Sequence, residues 1–205
     1  MTAAPSLRRV PELRSVCVYA GSNAGRLPAY AQAAAALGEL LARRGIHVVY
    51  GGGDIGLMGV VADAALAAGG RVTGIIPRTL MKREVGHRGL TELIVVETMH
   101  ERKHEMARRA DAFVALPGGI GTVEELVEAL TWTQLGVHRK PCALLDAGGY
   151  WTPFVRFLDH AVAEGFLPER HRAMLVTAGT PEAVLAAIER WEPPAVEKWL
   201  DREQA

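Results

Sequence analysis

Ala112-Phe113-Val114-Ala115-Leu116-Pro117-Gly118-Gly119-Ile120-Gly121-Thr122-Val123-Glu124-Glu125 is the stretch around which the chain is organised. A solid apolar run ends in Pro and two Gly, and an amphipathic segment follows at once. That order is strand, tight turn, helix start. Glycines let the backbone turn sharply and approach a ligand closely. The unpaired amides of a helix start, with the positive end of its dipole, attract an anion such as phosphate. Glu125 sits one turn above the bend. The stretch therefore reads as a phosphate cradle with a carboxylate beside it.

Working outward, the same strand–glycine–helix unit recurs. Ser15–Ala20 is a β-rich run that ends at Gly21-Ser22-Asn23-Ala24-Gly25, before an Ala-rich helix over Pro28–Arg44. Ile46–Tyr50 is a second strand, followed by Gly51-Gly52-Gly53, Gly56 and a helix from about Leu57 to Ala68. Further strands fall at Arg71–Ile76, Glu92–Val96, Cys142–Leu145 and Leu175–Thr177, and further helices at Met99–Ala110, Thr122–Leu135, Trp151–Glu164 and Pro181–Arg190. Thr180 is the expected N-cap of the last helix. Solid apolar strands alternating with helices predict an α/β fold: one doubly wound parallel sheet covered on both faces. Residues 1–13 read as a loose tail, 14–192 as a single nucleotide-binding domain and 193–205 as a helical tail after Pro193-Pro194. Ligands of such sheets bind at the carboxyl ends of the strands. The three glycine turns, 21–25, 51–56 and 117–121, are therefore expected along one edge.

The totals narrow the function classes. The 205 residues carry 23 basic and 23 acidic side chains, so no basic excess suggests a nucleic-acid surface. No apolar run reaches the ~18 residues of a membrane span, and Val16–Ala20 is too short for a secretory core. The expected location is the cytoplasm. Cys17 and Cys142 lie inside apolar runs and read as small buried hydrophobes.

Several motifs have two readings. Thr122-x-x-Glu125 is also a capping box, in which both side chains merely satisfy helix amides. The Met99–Ala110 helix is so polar that a solvated surface is its ordinary reading. Its start nevertheless follows a strand, so Arg102 and Lys103 are placed to meet an anion. His100-Glu101-x-x-His104 fits the helical zinc pattern, with Glu124 a conceivable third ligand, but a doubly wound sheet is the wrong setting and no metal is expected. Gly51-x-Gly53-x-x-Gly56 fits the dinucleotide fingerprint. The acid that should follow the next strand is missing, and Ile76-Pro77-Arg78 stands there, which leaves only NADP open. Glu84 lies in a long irregular connection, 77–90, of the kind that often carries function. Thr131 and Trp132 lie farther along the cradle helix, with Trp132 opposite the Val123, Leu126, Val127, Leu130 stripe and free to meet a partner chain.

Pro117-Gly118-Gly119-x-Gly121-Thr122-x-x-Glu125, together with Met99-His100-x-Arg102-Lys103-x-x-Met106, resembles the LOG family of cytokinin riboside 5′-monophosphate phosphoribohydrolases, often mislabelled lysine decarboxylases. The resemblance extends to Cys17–Gly25, Gly51–Gly59, Thr131–Gly136 and Asp146–Gly149. It implies a Rossmann-like fold, a homodimer with sites near the subunit interface, no cofactor, and hydrolysis of the N-glycosidic bond of an adenine nucleoside 5′-monophosphate. By position it implies Arg102 and Glu125 as the catalytic pair. It implies nucleotide contacts from Glu84, Arg102, Lys103, the run Gly119, Ile120, Gly121, Thr122, Val123, Glu124 and Glu125, and Thr131. Two rivals remain: a nucleotide-binding protein without turnover, and a pyridoxal-phosphate decarboxylase, which needs a Schiff-base lysine from among Lys82, Lys103, Lys140 and Lys198.

Overall fold

The computed structural model describes residues 13–81 and 86–193. Apart from Leu13 and Pro193, both expected tails lie outside the described residues, and so does Glu84.

Seven parallel strands form one sheet: β1 (Ser15–Tyr19), β2 (His47–Tyr50), β3 (Val72–Pro77), β4 (Glu92–Val96), β5 (Ala112–Ala115), β6 (Cys142–Leu145) and β7 (Leu175–Ala178), in the order β4-β3-β2-β1-β5-β6-β7. The helices are α1 (Pro28–Arg43), α2 (Gly56–Ala67), α3 (Met99–Arg109), α4 (Ile120–Leu135), α5 (Thr152–Ala163), α6 (Glu169–Arg172) and α7 (Pro181–Arg190). The short α6 has no signal in the sequence, because four polar residues after Pro168 carry no helical period. Thr180 caps α7 as expected, accepting from the Ala183 amide.

Side chains alternate across a strand, and β1 divides the core accordingly. Val16 and Val18 enter the cluster built with α1, α2 and α7. Cys17 and Tyr19 enter the opposite cluster, with residues of α3, α4 and α5. Both cysteines are buried free thiols.

β1 is joined through α1 to β2 on one side, while its other neighbour is β5, in the register Tyr19↔Ala115. The order reverses between these two strands. Such a reversal leaves a crevice outside the strand carboxyl ends, and the Gly21 and Pro117 turns leave β1 and β5 there.

Candidate active site

The three glycine turns meet as expected. The Gly21 amide donates to the Pro117 carbonyl at 3.0 Å, which ties the β1 turn to the β5 turn. The Gly21 carbonyl accepts from the amides of Leu57 and Met58, at 2.9 and 3.4 Å. The start of α2 is therefore closed by the protein's own backbone and does not offer its amides to a pyrophosphate. The Gly51–Gly56 pattern thus acts as a packing element, not as a dinucleotide fingerprint, and Arg78 pairs with Glu97 at 3.0 Å.

The start of α4 is different. Gly119 is the N-cap, with extended backbone and no side chain to cap the helix. The amides of Ile120, Gly121 and Thr122 precede the first intrahelical acceptor, and Ile120 is 87% exposed. This corrects the capping-box reading of Thr122 and Glu125. The cap lies three residues earlier than the spacing suggests, at Gly119, so Thr122 is the third helical residue and not the cap. Its side chain is buried against the turn: a Cβ on Gly118 would lie 2.2 Å from Thr122 Oγ1. The same Thr-x-x-Glu pattern does cap α3. There Thr98 accepts from the Glu101 amide at 3.1 Å, and Glu101 accepts from the Glu97 amide at 2.8 Å.

The solvated reading of α3 is also overturned. Arg102 is only 4% exposed and Lys103 7%. Arg102 Nη2 donates to the Gly51 carbonyl at 3.0 Å, and Nη1 lies 3.8 Å from the sulfur of Met99. Glu125 is half-buried on α4, near enough to β1 for its charge to act on Cys17 and Tyr19. The Cys17 thiol is raised well above its usual range first by burial and next by the Glu125 charge, while the Arg102 charge acts in the opposite sense. Burial, the Cys17 thiol and Glu125 likewise raise the Tyr19 hydroxyl. Two oppositely charged groups, from helices on either side of β5 in the chain, therefore both act on Cys17 of β1.

Lys103 and Glu124 are brought together, but with each other. Lys103 Nζ contacts Glu124 at 2.5 Å and Glu128 at 2.9 Å, fastening α3 to α4. Burial works against the ammonium, but hydrogen bonds and charge from the two carboxylates outweigh it and raise the lysine's pKa. An amine held this firmly as a cation is poorly suited to a Schiff base. Lys140 donates to the Ala107 carbonyl at 2.6 Å, while Lys82 and Lys198 lie outside the described residues. Val123 packs against the second core cluster. Thr131 is exposed and donates to its own helix at Val127, at 2.7 Å. Trp132, expected to look away from the core, packs against that second cluster and meets His138 edge-on, with centroids 6.2 Å apart. The pair expected from the zinc pattern, His100 and His104, is exposed, and its supposed third ligand Glu124 is engaged by Lys103.

Two aromatic residues that no sequence motif marks line the site. A cavity of about 240 Å³ between the β1 and β5 turns is lined by Asn23, Tyr30, Leu57, Gly119 and Tyr150, among others. Tyr30 and Tyr150 meet edge-on at 5.6 Å, and the Tyr150 hydroxyl donates to the Gly118 carbonyl. Nothing in the local pattern of an Ala-rich helix marks Tyr30. Tyr150 directly follows the Asp146–Gly149 turn, which was its only signal.

Fold and site together define a doubly wound α/β protein with an uncapped helix start at its switch point and Arg102 and Glu125 on the two helices that flank β5 in the chain. Residues 58–188 match the family described as "Possible lysine decarboxylase". The chain is 50% identical over 185 residues to the cytokinin riboside 5′-monophosphate phosphoribohydrolase LOG of Oryza sativa subsp. japonica, covering 90% of this chain and 76% of that protein. It is 48% identical over 180 residues to LOG7 of Arabidopsis thaliana, of the same description, covering 88% and 83%. The X-ray structure of TM1055 superposes with a TM-score of 0.67 at 27% identity, over 87% of this chain and 100% of that one. The chain belongs to the LOG family.

Proposed function

We propose that the protein is a hydrolase of nucleoside 5′-monophosphates that cleaves the N-glycosidic bond of AMP or an N6-substituted relative. Water attacks the anomeric carbon as the C–N bond breaks, and the products are free base and ribose 5-phosphate. The uncapped start of α4, with Glu125 one turn along and the charges of Glu125 and Arg102 both acting on Cys17, carries this reading. Relatives described as phosphoribohydrolases at 48–50% identity support it.

The chemistry follows from the charges. Breaking a ribosyl bond develops an oxocarbenium-like cation, as in glycoside cleavage. The Glu125 carboxylate stabilises that cation and takes a proton from the attacking water. Phosphate bound by the amides of Gly119–Thr122 anchors the sugar, so binding energy far from the bond fixes the geometry at the bond. Arg102 orients Glu125 and balances charge between phosphate and ribose. Glu84 is assigned to the base or ribose. Lys103 and Glu124 support the site by joining α3 to α4, and Thr131 contacts nucleotide from farther along α4.

We further infer a cytoplasmic homodimer. Its support is the exposed apolar side chains of Met99, Val127 and Phe157, on the helical layer that carries Arg102 and Glu125. Among the described residues no helix is long and apolar enough to cross a membrane.

The deciding experiment incubates the protein with AMP, N6-isopentenyl-AMP and the matching nucleosides, and measures free base and ribose 5-phosphate. Release from the monophosphates alone is expected. Binding without release would favour a nucleotide-binding role, and equal cleavage of nucleosides would defeat the phosphate cradle.

A further inference from the structure

We propose, building on the hydrolase reading above, that His87 is a positioning residue for Arg102 and acts through the Gly51–Gly53 loop.

The three carbonyls of that loop are each held from a different direction. Gly51 accepts from Arg102 Nη2 at 3.0 Å, Gly52 from the His87 amide at 3.0 Å, and Gly53 from the Tyr50 hydroxyl at 3.1 Å. Gly53 and Gly86 also form an antiparallel bridge. The loop is therefore paired on one side with the end of the β3–β4 connection and pressed on the other by the guanidinium. There is no slack between them, because a Cβ on Gly51 would lie 2.0 Å from Arg102 Nη2.

The His87 ring locks this pairing. It is buried, at 7% exposure. Its Nδ1 accepts from the Gly89 amide at 3.1 Å. That acceptor role puts the ring proton on Nε2, where Asp63 Oδ1 on α2 lies at 3.0 Å and Asp54 Oδ1 in the loop at 3.7 Å. The ring thus fastens the connection to α2, with the Asp54 carboxylate of the loop beside it, while the His87 amide holds the loop itself. The three groups lie within 4.8 Å of one another, close enough to share a cation. A metal on Nε2 would have to displace the proton that the Gly89 contact puts there, so the arrangement is a hydrogen-bonded clamp. When the clamp is released, the loop shifts and the anchor of Arg102 shifts with it. A displacement of ~1 Å at a catalytic group can cost about a hundredfold in rate.

The test compares three variants. His87→Ala removes the clamp. His87→Gln keeps an N–H where Nε2 stands. The double change Asp54→Ala with Asp63→Ala removes the acceptors from exposed positions, without touching the core. His87→Ala and the double Asp variant are expected to lower kcat with AMP about ten- to hundredfold with little change in KM, and His87→Gln to recover most of it. In an Arg102→Lys background the His87→Ala loss is expected to vanish, since the group being positioned is gone. Equal losses in both backgrounds, or no rescue by Gln, overturn the proposal. If the wild-type protein releases no base, the hydrolase reading has failed by itself. Amide exchange across residues 51–53 then decides the clamp: acceleration in His87→Ala but not in His87→Gln supports it, and unchanged exchange overturns it.

Discussion

The guanidinium of Arg102 closes against Gly51, bonding to its carbonyl at 3.0 Å and occupying the space where a Cβ would stand. A residue that looks like one of three flexible glycines is thus the seat of a buried cation from another helix, 51 positions away.

Gly51→Ala tests that seat. The clash is with the far end of a flexible side chain, so Arg102 yields and the fold survives. The protein is expected to melt near the wild-type temperature and to lose about a hundredfold in kcat. Gly118→Ala makes the contrast. There the clash is with the rooted Thr122 side chain and, at 2.9 Å, with the Gly21 amide. Thermal unfolding should show a clear loss of stability in Gly118→Ala only.

Glu125→Gln keeps the shape and hydrogen-bonding reach of the side chain but removes its charge. The variant should fold normally and lose at least about a hundredfold in kcat, the scale of a removed electrostatic stabiliser. Glu124→Gln instead weakens the bond to Lys103, so it should cost stability more than turnover. Steady-state rates alongside melting curves separate the two, and equal effects from both changes would deny Glu125 its special role.

Tyr150→Phe deletes the hydroxyl that holds the Gly118 carbonyl. Losing one hydrogen bond worth about 1 kcal/mol should raise KM for the monophosphate about fivefold while leaving kcat nearly intact. A fall in kcat alone would place Tyr150 in the chemistry instead of the cradle.

His138 sets a pH dependence of stability. Burial, and after it the Lys140 charge, lowers its pKa from 6.5 to about 4. Between those values the unfolded chain binds a proton that the folded chain refuses. Stability therefore falls as pH drops from 6.5 towards 4. Urea unfolding at pH 7 and pH 5 should show a loss that is smaller in His138→Gln, and equal losses in both proteins would exclude this source.

The Thr-x-x-Glu pattern marks where sequence reasoning stopped. It occurs at Thr98 and at Thr122, and local spacing cannot tell a cap from a site. The first is a cap because extended backbone at Thr98 presents its hydroxyl to the Glu101 amide. The second is not, because α4 starts at Ile120, after the bend at Gly119. In the same way the polarity of α3 spoke for solvent. Arg102 and Lys103 are buried only because a carbonyl at Gly51 and carboxylates on α4 await them, and those partners are remote in the chain.

What the sequence determined by itself is the order of strands and helices, the parallel sheet and the three glycine turns at one edge. Apolar runs, helical periods and glycines act through neighbours a few residues apart, so they are written locally. The tertiary structure alone decided which helix start is left uncapped, which carboxylate acts on β1, and that the Gly51–Gly53 loop meets both Arg102 and His87. Those relations are distances between groups tens of residues apart, and they come into being only when the sheet brings the strand ends together.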